Sequence, residues 1–357
     1  MRIKCFEKNL LYSIISLGFL IRIYHHYNWR IWGSDSGEYL YLTRYLVRNG
    51  QMITEGYIGW GRAYPDFQGM QILAGTISLL TKIDYDNSLL WFIPLMSALA
   101  IPSLFMIGKK IVGFTPALFG CAFYSVTFAV VFANSHAMPG GLAETLGFVL
   151  LYSWIKMLES DNILRVDRIK NNPWTGIATI SFLALLITHH FTLLLIVSAI
   201  VGILVVEIAA GNYKIANQGI LSIGIMSLVI SLYWLFYAES FRKMLDESAF
   251  SSISDSFPVT GILVMIPLIS LLGLWLLKDY LKLPQISESL TQKIFLSRIL
   301  AAFAISFAGI LLILWKGVPG TVAPLQAGEY QALPLSLIHI SEPTRPRLIS
   351  YAVFCLK

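Results

Sequence analysis

The sequence predicts an all-α, polytopic membrane helix bundle, and three observations predict it. Hydrophobic residues make up 56% of the 357 and charged residues only 13%, about half the charge of a soluble domain. Mean hydropathy is +0.69, and apolar runs of spanning length recur down the chain. Positive charge falls in the loops between those runs, in a one-sided pattern. This composition excludes a soluble globular chain and a disordered one. The cysteines, Cys5, Cys121 and Cys355, cannot build a disulfide framework. The excess of 26 Lys+Arg over 20 Asp+Glu is the orienting charge of a membrane protein, so no nucleic-acid partner is expected.

Lipid satisfies no backbone group, so each span must be a helix. The first is read at 9–27 and carries Arg22, the clear mid-span charge. The next apolar run, 67–83 (FQGMQILAGTISLLTKI), could be a second span. The basic loops decide against it. If it stays on one side, Lys109, Lys110, the loop 158–173, Lys214 and the loop 278–295 all share the side of Arg2, Lys4 and Lys8. The short outer loops then keep only Arg242, Lys243 and Lys316. If 67–83 crossed, the basic loops would divide between sides, against the positive-inside rule. The expected placement is therefore a multi-pass cell-membrane protein with a cytoplasmic N-terminus and a long first outer loop, residues 28–88.

A loop of that length needs structure of its own. Residues 36–49 read as a helix on the membrane surface, with Tyr39, Leu42, Tyr45 and Leu46 on its apolar face. Asn49-Gly50 ends it. An irregular aromatic stretch follows, from Tyr57 through Trp60, Arg62, Tyr64 and Pro65 to Asp66, and then a partly buried helix over 67–83. Further spans are read at 89–107, 114–133, 142–157, 174–188, 191–209, 217–238, 258–277 and 296–315. The run 174–209 is too long for one helix, so Thr188-His189-His190 must turn.

From Leu335 the chain reads LSLIHISEPTRPRLISYAVFCLK. This resembles a translated sequencing-library adapter, LSLIHISEPTR and ISYAVFCLK flanking three index-dependent residues. Residues 335–357 are therefore set aside as an artefact. The transmembrane domain is taken as 1–334, and the natural chain is expected to continue past Pro334.

Few residues could carry chemistry. Asp35 lies just outside the first span. With Glu38 it makes a D-x-x-E pattern that caps helices, but a carboxylate there could equally be a hard-metal ligand or a base. Glu144, in NSHAMPGGLAETL, suits a helix first turn. Two spans separate its loop from the first outer loop, so Glu144 returns to the side of Asp35. His136 shares that loop, either as an interfacial residue or as a ligand. His189 and His190 are polar turn residues, or contacts for a lipid phosphate or a metal. Glu329, in VAPLQAGEYQ, is the acid of the final outer loop. No Gly-rich phosphate loop, zinc spacing or nucleophile elbow is present.

The order of these features carries a resemblance. A span is followed by an acid loop with YLTRYLVRNG, then Tyr64-Pro65, then an apolar helix, then WFIPLMSALAIPSLFMIGKKIVG and TPALFGCAFYSVTFAVVF, then a second acid loop. Over residues 9–157 this resembles the catalytic subunit of oligosaccharyltransferase, especially archaeal forms, within the GT-C membrane glycosyltransferases. The resemblance implies inverting, Mn²⁺- or Mg²⁺-dependent transfer of a glycan from a polyprenyl (dolichyl) phosphate carrier to asparagine of an acceptor protein or peptide. It implies that Asp35 and Glu144 are catalytic metal acids sharing one cation, with His136 or Glu38 to complete the shell. Glu329 would assist the metal and acceptor, and His189, His190 and Arg62 would meet the carrier phosphate. The sequence departs from the family where the first acid of its acid-x-acid pair would fall, on Leu142. A second expectation is a GT-C transferase using a polyprenyl-phosphate monosaccharide, with Asp35 as a metal-free base. Protein O-mannosyltransferases and lipid A aminoarabinose transferases place an acid similarly. A third is a non-enzymatic polyprenyl-lipid transporter, which calls for ionisable residues lining a path through the spans.

Overall fold

The computed structural model describes residues 2–28, 35–53, 57, 61, 63–159, 172–209 and 212–248. The spans read at 258–277 and 296–315, together with Arg62, Glu329 and the tail 335–357, lie outside the described residues. All regular structure among the described residues is helical.

Helix α1 (Arg2–Asn28) is followed by α2 (Ser36–Asn49), a 3-10 turn (Tyr64–Asp66) and α3 (Gly69–Thr81). The bounds of α2 are those the pattern predicts. Gly50 ends it at φ 68°, its amide bonding to the Leu46 carbonyl at 2.9 Å, a left-handed stop that favours glycine. Helix α3 has 13 residues, about 20 Å of rise, which is short of a 30 Å hydrocarbon core. Met70, Gln71 and Ala74 are buried while Leu79 and Leu80 are exposed. The helix is thus partly buried, as the sequence predicts.

The spans read at 89–107 and 114–133 are each two helices in line. Helices α4 (Tyr85–Ala98) and α5 (Ala100–Val112) meet at Leu99. Pro94 and Pro102 each lack an amide for the helix ladder, which loosens the rod around that point. Helices α6 (Phe114–Val126) and α7 (Phe128–Ser135) meet at Thr127, whose backbone is extended (φ −62°, ψ 120°). Its hydroxyl bonds back to the Phe123 carbonyl at 2.7 Å, a local competitor to the helix. Helices α8 (Pro139–Glu159), α9 (Pro173–Thr188), α10 (His190–Ala209) and α11 (Tyr213–Phe236) follow, then the short α12 (Glu239–Ser248). Asn172 caps α9 by accepting the Trp174 amide at 3.0 Å, with Pro173 in the first turn.

Among the described residues, four stretches are long and apolar enough to cross a membrane: Tyr85–Val112, Pro139–Glu159, His190–Ile208 and Ile215–Phe236. Their outer faces stay apolar. Trp91 is 43% exposed, Leu228 58% and Phe236 82%, a surface that suits lipid rather than water. Inside, α8 is the central rod. Trp154, Leu150, Leu185, Leu193, Ile200 and Leu204 pack one core around it. Small residues let neighbours approach: a Cβ on Gly147 would sit 2.8 Å from the Ile196 side chain. Trp154 is fully buried and donates its indole N–H to Ser222 Oγ at 2.8 Å. Ser222→Ala is expected to lower stability by about 1–3 kcal/mol, because the buried donor is left without an acceptor. Thermal unfolding in detergent measures this, and Ser222→Thr is expected to retain most of the stability.

The two ends of the bundle differ. At one end Lys110 and Lys156 both pair with Glu159, and Lys109 lies over the Phe105 and Phe114 rings. At the other end the first loop meets the other turns. Tyr39 and Tyr64 share a core with Ala137, Met138 and Leu142. Gly69 lies so close to Thr188 that a Cβ would be 2.3 Å from its hydroxyl. The Phe67 ring packs on His190 and Phe241, with centroids 4.7 and 5.3 Å away. The N-terminal flank of α3 therefore lies at the first-loop end.

Candidate functional site

Asp35 stands at the start of α2 but does not cap it. Its backbone is helical (φ −94°, ψ −13°) and its side chain makes no capping bond. Capping needs an extended backbone at that position, so the capping reading of Asp35 and Glu38 is corrected. The carboxylate turns instead to the 3-10 turn, where Tyr64 Oη donates to Asp35 Oδ2 at 2.7 Å. The Tyr39 and Tyr64 rings lie 4.7 Å apart. Burial pushes both phenols well above the usual tyrosine range, so Tyr64 keeps the proton it donates. In the sequence Tyr64 stands in an irregular stretch and in the Tyr64-Pro65 pair of the resemblance, with no role at Asp35. Nothing local links it to Asp35, 29 positions away.

Glu144 sits in the second turn of α8. Asn134 Nδ2, from the end of α7, donates to Glu144 Oε2 at 2.7 Å. The Tyr124 hydroxyl from α6 and the Arg22 guanidinium from α1 both act electrostatically on Glu144. Arg22 is fully buried. It donates to the Gly18 carbonyl at 2.8 Å and the Ser125 carbonyl at 3.3 Å, and lies 5.7 Å from the Tyr124 ring centre. The mid-span charge thus has an acidic partner from another rod, which the sequence did not disclose.

His136 is buried between α7 and α8. Its Nδ1 lies 2.5 Å from the Phe132 carbonyl, and its ring stands edge-on to Phe132 at 4.6 Å. At the α9–α10 hairpin only His189 leaves the helix, with an extended backbone (φ −160°, ψ 106°). The turn is thus narrower than the three residues read from sequence. His189 Nδ1 contacts the Thr192 hydroxyl at 2.8 Å and accepts its amide at 3.3 Å, which caps α10. Burial lowers the His189 pKa to about 4, so this ring is neutral near pH 7. His190 opens α10 and packs among Phe67, His189 and Phe241.

Asp35 and Glu144 therefore lie toward the same end of the bundle. Leu142, where the first acid of the family's acid-x-acid pair would fall, is 2% exposed in the apolar core shared with Tyr39. Among the described residues, no three His, Cys, Asp or Glu side chains come together as a metal-holding group. Glu144 is committed to Asn134 and faces Arg22, while His136 is turned to Phe132. The described donors do not by themselves fit a divalent-cation site.

Asp66 was not singled out in the sequence. It is 7% exposed, and its Oδ2 accepts the Phe241 amide of α12 at 2.7 Å. Burial pushes its carboxyl up, and amide bonds from Phe241 and Ser240 partly oppose the rise. The two partners are 175 positions apart, so no local pattern announces the contact.

Fold and composition together define a helical membrane protein. No protein-family model matches the chain, and no curated protein matches it.

Proposed function

We propose that this chain is a GT-C membrane glycosyltransferase working on the extracytoplasmic face of the cell membrane. It transfers a sugar or glycan from a polyprenyl-phosphate carrier to an acceptor protein or peptide. The supporting observation is the state of Asp35. An acid on the first outer loop is excused from capping its own helix and is aimed by a tyrosine that stays protonated. A carboxylate held in this way can take a proton from an acceptor N–H or O–H as that atom attacks the sugar. Tyr64 fixes its orientation. Glu144 lies toward the same end, its charge opposed by Arg22.

In the oligosaccharyltransferase-like reading the acceptor is an asparagine amide and Mn²⁺ or Mg²⁺ is required. That reading needs metal ligands beyond the described residues. In the second reading the donor is a polyprenyl-phosphate monosaccharide and Asp35 is the base. The burial of Leu142 where the family carries an acid favours this second reading.

The test uses the full chain in nanodiscs with a polyprenyl-phosphate sugar donor and acceptor peptides. Transfer that stops on chelation and resumes with Mn²⁺ supports the first reading. Transfer retained under chelation supports the second. Movement of the donor lipid across proteoliposomes with no transfer product would contradict both and favour a transporter.

A further inference from the structure

Helix α12 is held at its start by a group 175 positions earlier in the chain. Asp66 Oδ2 accepts the Phe241 amide at 2.7 Å, the Ser240 amide also bonds to this carboxylate, and the Asp66 carbonyl accepts the Tyr233 hydroxyl at 2.5 Å. A carboxylate there satisfies first-turn amides that α12 cannot satisfy itself. The Phe241 ring, 3% exposed, is wedged between His190 and Trp234, with centroids 4.5 and 5.2 Å away. Beside this wedge two ring nitrogens, His190 Nδ1 and Trp234 Nε1, have no hydrogen-bond partner among the described residues. Trp234 is only 5% exposed, so its indole N–H is a buried donor with no acceptor among them. Such a group is costly in one state and is explained when another state supplies the acceptor.

We propose that α12 is a latch: Phe241 plugs a site whose donors are His190 and Trp234, and release of α12 from Asp66 opens that site to a phosphate oxygen of a polyprenyl-phosphate lipid. The inference rests on the carrier reading above. The indole can only donate, and neutral His190 donates in the tautomer that protonates Nδ1, so the pair suits an anionic oxygen. The donors lie at the ends of two spans, His190 at the start of α10 and Trp234 in the last turn of α11. That is the depth of a lipid headgroup. The rings of Phe67 and Tyr233 complete an apolar wall for the first isoprene units. Arg242, whose guanidinium folds back onto the Leu235 carbonyl, lies on the moving helix itself.

A latch that competes with ligand lowers apparent affinity by the fraction of open molecules. Weakening it must therefore tighten binding, the reverse of what loss of a merely structural contact does. The experiment titrates decaprenyl phosphate into the full chain in nanodiscs and follows hydrogen exchange of residues 239–248. Phe241→Ala and Asp66→Ala are expected to bind about tenfold more tightly if the latch is closed nine-tenths of the time. Phe241→Leu, which keeps an apolar filler, should fall between Phe241→Ala and the native chain. Trp234→Phe should bind about tenfold more weakly, having lost one hydrogen bond to a charged group. Decaprenyl phosphate should speed exchange of α12 in the native chain, and inorganic phosphate should not. Unchanged or weaker binding by both Phe241 variants, with native binding intact, would overturn the latch alone. Equal opening by inorganic phosphate would overturn the lipid assignment. No binding of decaprenyl phosphate by any chain, although Asp66→Ala still speeds α12 exchange, would overturn the carrier reading and the ligand proposed here with it.

Discussion

Asp35→Asn is expected to lower kcat for sugar transfer about 10²- to 10⁴-fold, the range of a positioned acid–base group, with the donor KM changed little. The substitution keeps the size of the side chain and an oxygen for the Tyr64 hydroxyl, which donates to it at 2.7 Å in the native chain. It removes the ability to accept a proton from the attacking atom. Because Asp35 does not cap α2, the helix should be as stable as before, and unfolding temperature serves as the control. Tyr64→Phe should produce a smaller loss, since it removes one bond that orients the carboxylate and leaves the carboxylate in place. Full activity in Asp35→Asn would remove the main support for the proposed chemistry.

Arg22→Ala is expected to cost about 2–5 kcal/mol of stability, the range for truncating a long buried side chain. Arg22 is fully buried, bonds to the Gly18 and Ser125 carbonyls, lies over Tyr124 and attracts Glu144. Its removal leaves a cavity between α1 and the α6–α7 rod, and it leaves Glu144 without its nearby positive charge. Two further variants separate these causes. Arg22→Met fills much of the space but supplies no charge. Arg22→Met with Glu144→Gln removes both charges and should regain most of the loss, because apolar or neutral replacements of a buried pair are often tolerated. Thermal unfolding of the four chains in one detergent makes the comparison.

Much of the architecture was legible because bilayers impose few rules. Apolar length placed the runs 89–107, 142–157, 191–209 and 217–238 on the four described stretches long enough to cross. The stop at Gly50 came from a residue whose left-handed backbone has few alternatives. The breaks at Leu99 and Thr127 were harder. Proline at 94 and 102 signals a loosened rod, but Thr127 breaks its rod through a hydroxyl-to-backbone bond that any threonine could make. The site was legible only as single residues. Asp35 and Glu144 could be assigned to one end, but their partners are set by packing between distant segments. Tyr64, Asn134 and Arg22 carry no pattern that points to those acids, and Asp66 reaches α12 across 175 positions. The same limit explains the capping pattern at Asp35, whose local signal was outcompeted by a tertiary hydrogen bond.

The whole account requires that α3 does not cross the membrane, so that Asp35 and Glu144 face one compartment. Cysteines placed at Gln51 and Asp84, exposed positions on either side of α3, measure this directly in intact cells, in a background where the native cysteines are serine. A membrane-impermeant maleimide is expected to label both positions, and an exposed Lys243→Cys as well, while Lys109→Cys reacts only after the membrane is opened. Labelling of Gln51→Cys and Asp84→Cys from opposite sides would put the two acids in different compartments and contradict the account.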